Sequence, residues 1–212
     1  MADNIINVLD FKMDVGTKFS YVIRGLKENG WYEKQSTDMV KRKITPDMKC
    51  VDVGANIGYY SVMVGKLGCD ITSYEPYSYN YELLIKNMKL NNIKKFHAGR
   101  FAVSDKEENL NLYINNECTG MSTLTKPRQQ FESVIGITLS KYHKEIDFLK
   151  IDAEGWETQV LRGLGNVRPR YILVEDIPKL RIDAGCDPAE FYNLLDSYTM
   201  TKVDGNLWCE LK

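Results

Sequence analysis

Apolar residues Phe19, Val22, Ile23 and Leu26 fall at i, i+3, i+4 and i+7, and Gly30 follows where a left-handed stop is wanted, so the spacing predicts an amphipathic helix. A weaker helical stretch runs from Thr37 to Ile44. The Thr45-Pro46-Asp47 turn then leads into a β-type run, Lys49 to Val53. From there the pattern alternates. Helices are expected at Ile57 to Leu67, stopped by Gly68, and at Ser78 to Asn91, where Tyr81, Leu84, Ile85 and Met88 keep the helical spacing. Short apolar runs at Asp70 to Glu75, Lys95 to Ala98, Asp147 to Asp152 and Tyr171 to Glu175 read as strands covered on both faces. Such a βαβ series builds a mostly parallel sheet with helices on both faces, and ligands bind beyond the carboxyl ends of its strands.

Two segments break the alternation. Leu110, Leu112 and Ile114 alternate with polar residues, and Val134, Ile135 and Ile137 form another run, which suggests inserted antiparallel strands. Near the end, Thr199 to Val203 and Asn206 to Leu211 flank Asp204-Gly205, a strong hairpin turn signal. The sheet is therefore expected to finish on a C-terminal antiparallel hairpin. With no repeat and no Pro/Gly/Ser linker, the expected organisation is an N-terminal helical cap segment, 1–48, on a single compact domain, 49–212.

Composition narrows the classes. The chain has 212 residues, 43% hydrophobic and 27% charged, enough to bury a core without staples and incompatible with disorder or collagen. With 28 Lys and Arg against 29 Asp and Glu, the net charge of −1 supplies no broad positive field, so nucleic acid is disfavoured as a partner. Five scattered cysteines form no C-x-x-C pair, and no apolar run is long enough to span a membrane. Together with the lack of a signal-peptide pattern, these point to a reduced, cytoplasmic protein.

The first strand runs into Val53-Gly54-Ala55-Asn56-Ile57-Gly58-Tyr59, a small-residue turn opening a helix. Glycine has no Cβ and tolerates positive φ, so a ligand can lie against main-chain N–H groups there. The plain alternative is a glycine pair that relieves helix–strand crowding. Glu75 lies at the end of the next strand, where a carboxylate can accept both hydroxyls of an adenosine ribose. Asp52 would repel a pyrophosphate and suits a cation. S-adenosylmethionine carries a sulfonium and an ammonium and no phosphate, and Asp52 could serve its ammonium end.

These residues, with Trp31-Tyr32-Glu33, Tyr74-Glu75-Pro76, Phe101-Ala102-Val103-Ser104-Asp105 and Lys150-Ile151-Asp152-Ala153-Glu154-Gly155, resemble the FkbM family of S-adenosylmethionine-dependent methyltransferases from about residue 30 to 180. The resemblance implies an α/β, Rossmann-like class I methyltransferase fold with S-adenosyl-L-methionine as cofactor. It places Glu33, Asp52, Gly54, Asn56, Gly58, Tyr59, Glu75, Pro76, Ala102 and Val103 at the cofactor, the Ala102-Val103 stretch beside the adenine. It also implies O-methylation of a small-molecule hydroxyl acceptor, such as a sugar, glycolipid or polyketide-type metabolite. The chain departs from the family pattern at Ala153, Trp156 and Ile177, and a bulky Trp156 would reshape the acceptor pocket.

Lys150 and Asp152 share one face of a strand by the period-2 rule. A Lys inside an apolar central strand needs a partner, so Lys150 is expected to meet a carboxylate near the ligand end of the sheet. An alcohol is too weakly acidic to attack a methyl group unaided, which makes Asp152, Glu154 and Glu175 the candidates for base or acceptor-orienting groups. These carboxylates with Asp176 form an oxygen-ligand set that selects no particular metal, and none is assigned. Two competing readings fit part of the pattern: a nicotinamide-dependent oxidoreductase, which shares the glycine turn and acidic partner, and a non-catalytic cofactor-binding subunit.

Overall fold

A computed structural model describes residues 4–212. In chain order the elements are β1 (Ile5–Val8), β2 (Phe11–Asp14), α1 (Tyr21–Asn29), α2 (Lys34–Lys43), β3 (Lys49–Val53), α3 (Tyr59–Lys66), β4 (Asp70–Tyr74), α4 (Ser78–Leu90), β5 (Phe96–Gly99), β6 (Ala102–Val103), β7 (Glu108–Tyr113), β8 (Phe131–Ile137), α5 (Leu139–Tyr142), β9 (Phe148–Ile151), α6 (Glu157–Arg162), β10 (Tyr171–Glu175), α7 (Pro178–Asp183), α8 (Pro188–Asn193), β11 (Tyr198–Val203) and β12 (Asn206–Leu211). A 3-10 turn, Thr119–Met121, lies between β7 and β8.

The central sheet has the order β11-β12-β10-β9-β3-β4-β5. Strands β5, β4, β3, β9 and β10 are parallel, and β12 and β11 close one edge antiparallel, as the Asp204-Gly205 turn predicts. This is a Rossmann-like α/β fold. The order reverses between β3 and β9, where a crevice opens at the carboxyl ends.

Period-2 alternation sorts the strand residues into two cores. Cys50, Phe148, Tyr171 and Leu173 face α3 and the N-terminal elements, whereas Val51, Val53, Leu149, Ile151, Ile172 and Val174 face α6 and α8. On the first face Trp208 stacks on Phe148 and Tyr171, with ring centroids 5.9 and 5.3 Å apart. The inserted strands form a second sheet, β6-β8-β7, with β7 and β8 antiparallel as expected and a short parallel β6 added.

Helix α1 is built as its sequence predicts. Ser20 Oγ accepts the Ile23 N–H at 3.2 Å, Ile23 and Leu26 are buried, and Gly30 takes φ 79° to close the helix on the Leu26 carbonyl. The segment before it differs from an all-helical cap, because β1 and β2 form an antiparallel hairpin. Its anchor is the buried Asn87 of α4: Oδ1 accepts the Asp14 N–H at 2.7 Å, and Nδ2 donates to the carbonyls of Asp14 at 3.0 Å and Ile57 at 2.8 Å. One side chain thus ties the hairpin, α4 and the β3–α3 turn together, and such a long-range tie leaves no local pattern in the sequence. Among the described residues no helix is long and apolar enough to cross a membrane.

Candidate active site

The β3–α3 turn is dictated by close approach. Gly54 sits at φ 73°, and a Cβ there would lie 1.8 Å from the Asp152 carbonyl oxygen, so the turn and the end of β9 touch backbone to backbone. Gly58, at φ 91°, faces Leu84 of α4, where a Cβ would lie 2.7 Å from Cδ1. The two glycines therefore separate the two meanings of the motif: Gly54 shapes the crevice, and Gly58 lets α3 pack on α4.

Glu75 is organised by the same turn. Its Oε2 accepts the Asn56 N–H at 2.8 Å, and its Oε1 accepts the Tyr77 N–H at 2.9 Å. Each oxygen keeps a lone pair, since a carboxylate offers about four acceptor positions. Burial pushes the Glu75 carboxyl up to about 7, with the two N–H bonds holding it down and Asp52 and Asp152 adding to the rise.

Gly54, Asn56, Glu75 and Pro76 form one wall of a cleft of about 900 Å³, open mouth included. Phe101, Ala102, Val103 and Leu112 add an apolar wall, and Asp152, Ala153, Glu154, Trp156 and Glu175 form the opposite one. Tyr21, Val22 and Tyr32 from the N-terminal segment, with the stretch 118–124 from the β7–β8 connection, complete the lining. That connection is pinned across the cleft by Thr119, whose N–H donates to the Phe19 carbonyl at 3.0 Å. Among the described residues no Lys, Arg or His lines the cleft.

The acidic wall is electrostatically unbalanced. Glu154, in the left-handed region at φ 51°, has its carboxyl pushed up to about 8 by burial, with Asp152 and Glu157 adding to the rise against Lys150 and Lys126. Glu175 is pushed further, to about 10, by burial and then by Asp152, Glu154 and Glu157. Its Oε2 is buried without a hydrogen-bond partner. Lys150, 3% exposed, reaches Asp152 Oδ2 at 3.0 Å as its strand position predicts. Burial alone would lower the Lys150 ammonium, but Asp152, Asp52 and Glu33 outweigh it and hold the group charged.

Thus Asp152, Glu154, Glu175, Gly54, Asn56, Glu75, Pro76, Ala102 and Val103 converge on one cleft. Glu33, Asp52, Gly58 and Tyr59, expected at the cofactor, are not on its wall. Glu33 and Asp52 lie behind it beside Lys150, whereas Gly58 packs against α4 and Tyr59 against α2. Glu33 Oε2 accepts the Tyr60 hydroxyl at 2.7 Å, and burial raises its carboxyl. Asp52 Oδ2 accepts the Ser61 hydroxyl at 2.6 Å, while the Tyr59 hydroxyl meets Thr37 Oγ1 at 2.9 Å. Tyr60 places its ring 5.0 Å from the Lys150 ammonium. Tyr77 is buried under Lys18, whose ammonium donates to its hydroxyl at 2.6 Å. Sequence reasoning missed Tyr21, Val22 and the 118–124 stretch, which reach the cleft through tertiary placement that leaves no local signal. Among the described residues no three of His, Cys, Asp or Glu are placed to share a metal ion.

Comparison with known proteins agrees with this geometry. "Methyltransferase 1" of Beauveria bassiana is 25% identical over 179 residues, 71% of each chain. Among solved structures, ribosomal protein L11 methylase from Lactobacillus delbrueckii subsp. bulgaricus superposes with a TM-score of 0.52 at 10% identity, covering 85% of this chain and 78% of that one. The tRNA (uracil-54, C5)-methyltransferase of Pyrococcus abyssi, in complex with S-adenosyl-L-homocysteine, has a TM-score of 0.57 at 14% identity, covering 100% of this chain and 45% of that one. These likenesses establish the fold. A family model described as the methyltransferase FkbM domain matches residues 52–181, which contain the glycine turn, Glu75 and all three cleft carboxyls at the ends of β9 and β10, and the chain therefore belongs to the FkbM methyltransferase family.

Proposed function

We propose that this protein is an S-adenosylmethionine-dependent O-methyltransferase acting on a hydroxyl of an uncharged small molecule. The observation that carries the reading is the cleft's charge pattern: four carboxyl groups and no basic side chain around one cavity. Such a site favours a cationic cofactor over a pyrophosphate, and a neutral acceptor over a phosphorylated one or a nucleic acid. The residues fit the cofactor. Glu75 retains a lone pair on each oxygen for two ribose hydroxyls, and Phe101, Ala102 and Val103 offer an apolar surface for an adenine.

When bound, the cofactor supplies an electrophilic methyl group on a sulfonium. The chain's own residues orient the acceptor and take its proton. Asp152, fixed by Lys150, holds the acceptor hydroxyl in line and faces the positive charge with its own. Glu154, pushed up to about 8, is tuned to receive the hydroxyl proton near neutral pH once a cation lies in the cleft. Glu175, pushed up to about 10, stays protonated and donates a hydrogen bond to the acceptor.

Calorimetry and thermal shift with S-adenosylmethionine, S-adenosylhomocysteine and NAD, measured side by side, test the proposal, because stabilisation follows ligand concentration over Kd. Both adenosyl ligands are expected to bind and NAD is not. A response to NAD alone would overturn the reading in favour of a nicotinamide enzyme. The acceptor class is checked by radiolabel transfer to a panel of neutral glycosides, phenols, sugar phosphates and RNA, with product expected from the neutral members only.

A further inference from the structure

We infer that Glu157, the first residue of α6 and absent from the cleft wall, is the positioning residue that sets Glu154 toward the acceptor. The inference rests on the catalytic reading of Glu154 given above. Glu157 is 1% exposed, and its recorded hydrogen bonds among the described residues are to backbone rather than to a basic side chain. A single oxygen, Oε1, accepts two backbone N–H groups, Ala153 at 3.0 Å and Gly155 at 3.1 Å. The residue between those two amides is Glu154.

The loop so held is one that free chain would avoid. Glu154 adopts φ 51° and Gly155 φ 99°, and left-handed backbone at a non-glycine residue is strained unless its surroundings impose it. A third tether comes from the inserted sheet, where Thr123 Oγ1 donates to the Glu154 carbonyl at 3.0 Å. On the far side the loop lies against α7, and a Cβ on Gly155 would lie 2.8 Å from the Leu180 carbonyl oxygen. The backbone from the Ala153 amide to the Gly155 amide is thereby held at both ends, with Glu154 inside it, and Glu154 follows that backbone into the cleft.

Glu157 also faces Glu154 as a second buried acid, its own carboxyl raised by burial and held down by the backbone N–H groups of Gly155 and Ala153. The titratable groups facing Glu154 are Lys150 on β9, Asp152 just beyond its end, Glu157 on α6, Glu175 at the end of β10 and Lys126 in the β7–β8 connection. Asp152 and Glu157 favour the protonated form of Glu154, and the two lysines oppose it. One side chain therefore controls both where this carboxyl points and when it releases its proton.

The two roles separate by substitution. Glu157→Gln keeps an amide oxygen for the two N–H groups and removes the charge, whereas Glu157→Ala removes both. The readout is the pH titration of the Glu154 side-chain carboxyl by carbon-13 NMR in the full chain, assigned by its loss in Glu154→Gln, with amide hydrogen exchange at Ala153 and Gly155. In Glu157→Gln both amides should stay protected while the Glu154 midpoint falls by on the order of one pH unit. In Glu157→Ala both amides should exchange freely, and Glu154 should move further toward an ordinary carboxylate. Protected amides in Glu157→Ala, or an unchanged Glu154 midpoint in Glu157→Gln, would overturn the inference. If Glu157→Ala does not fold, Glu157→Gln and Thr123→Val give the decision: the first must shift the midpoint with its amides protected, and the second must loosen the loop without removing that charge. Failure of the wild-type chain to bind S-adenosylmethionine would sink the catalytic reading and leave the titration result standing.

Discussion

Glu75 and Glu175 both stand at the carboxyl end of parallel strands in one sheet and face one cleft, yet they are opposite kinds of acid. The glycine turn offers Glu75 a backbone N–H, the start of α4 offers it another, and its carboxyl rises only to about 7 despite burial. Glu175 is offered nothing. The nearby Arg181 sends one guanidinium nitrogen to the Glu175 backbone carbonyl at 3.1 Å and another to the side chain of Asp176 at 2.7 Å. The Tyr192 hydroxyl also goes to Asp176, at 2.9 Å. With Asp152 and Glu154 beside it instead, the Glu175 carboxyl is pushed up to about 10. Two residues of the same type acquire different protonation from the polar groups that backbone geometry aims at them. One side of the cleft holds its acid by two backbone N–H groups in a geometry suited to binding, and the other leaves its acids without such donors, suited to proton transfer.

The largest effect should come from the reactive side. Glu154→Gln or Asp152→Asn should lower kcat by about 10²–10⁴-fold while cofactor affinity stays close to wild type, read by methyl-transfer assay and calorimetry once an acceptor is in hand. Turnover near wild type in both variants would move the proton-accepting role to Glu175 and erase the contrast between the two sides. Glu75→Ala should do the reverse and act on binding. Losing hydrogen bonds to a charged acceptor should weaken S-adenosylhomocysteine by about 2–4 kcal/mol, roughly 30-fold to several-hundred-fold in Kd. Unchanged affinity in a folded variant would make Glu75 a purely structural buttress of the glycine turn.

A smaller effect, on stability, sharpens the comparison. Glu154 and Glu175 hold protons in the folded chain up to about 8 and about 10, against an ordinary value of 4.5, so folding takes up protons between those limits. Their contribution is complete below 4.5 and is lost as pH rises through 8 and then 10. The ligand-free protein should therefore lose a few degrees of Tm between pH 7 and 9, and Glu175→Gln should lose less, measured by calorimetric scans. An identical pH dependence in the variant would mean that Glu175 is ionised in the folded chain.

Much of the fold was legible locally. β10 coincides with the apolar run Tyr171–Glu175, α1 ends at Gly30, and the final hairpin turns at Asp204-Gly205, because apolar period and turn chemistry are properties of neighbouring residues. The β1–β2 hairpin escaped because its anchor, Asn87, is more than 70 residues away. The short α6, α7 and α8 escaped because a helix of six residues carries less than two turns of pattern.

The site divides the same way. Residue type and spacing along the chain determined the glycine turn, the acid after β4, the Lys150–Asp152 pairing and the three carboxyls at the strand ends, since each follows from where a parallel strand must stop. The tertiary structure alone decided which of those groups share a cavity. It put Glu33 and Asp52 behind the wall with Lys150, turned Tyr59 toward α2 and brought the distant 118–124 stretch into the cleft lining. It also decided which acids keep their protons, because desolvation and the aim of backbone N–H groups depend on elements far apart in sequence, and no single stretch of chain carries that information.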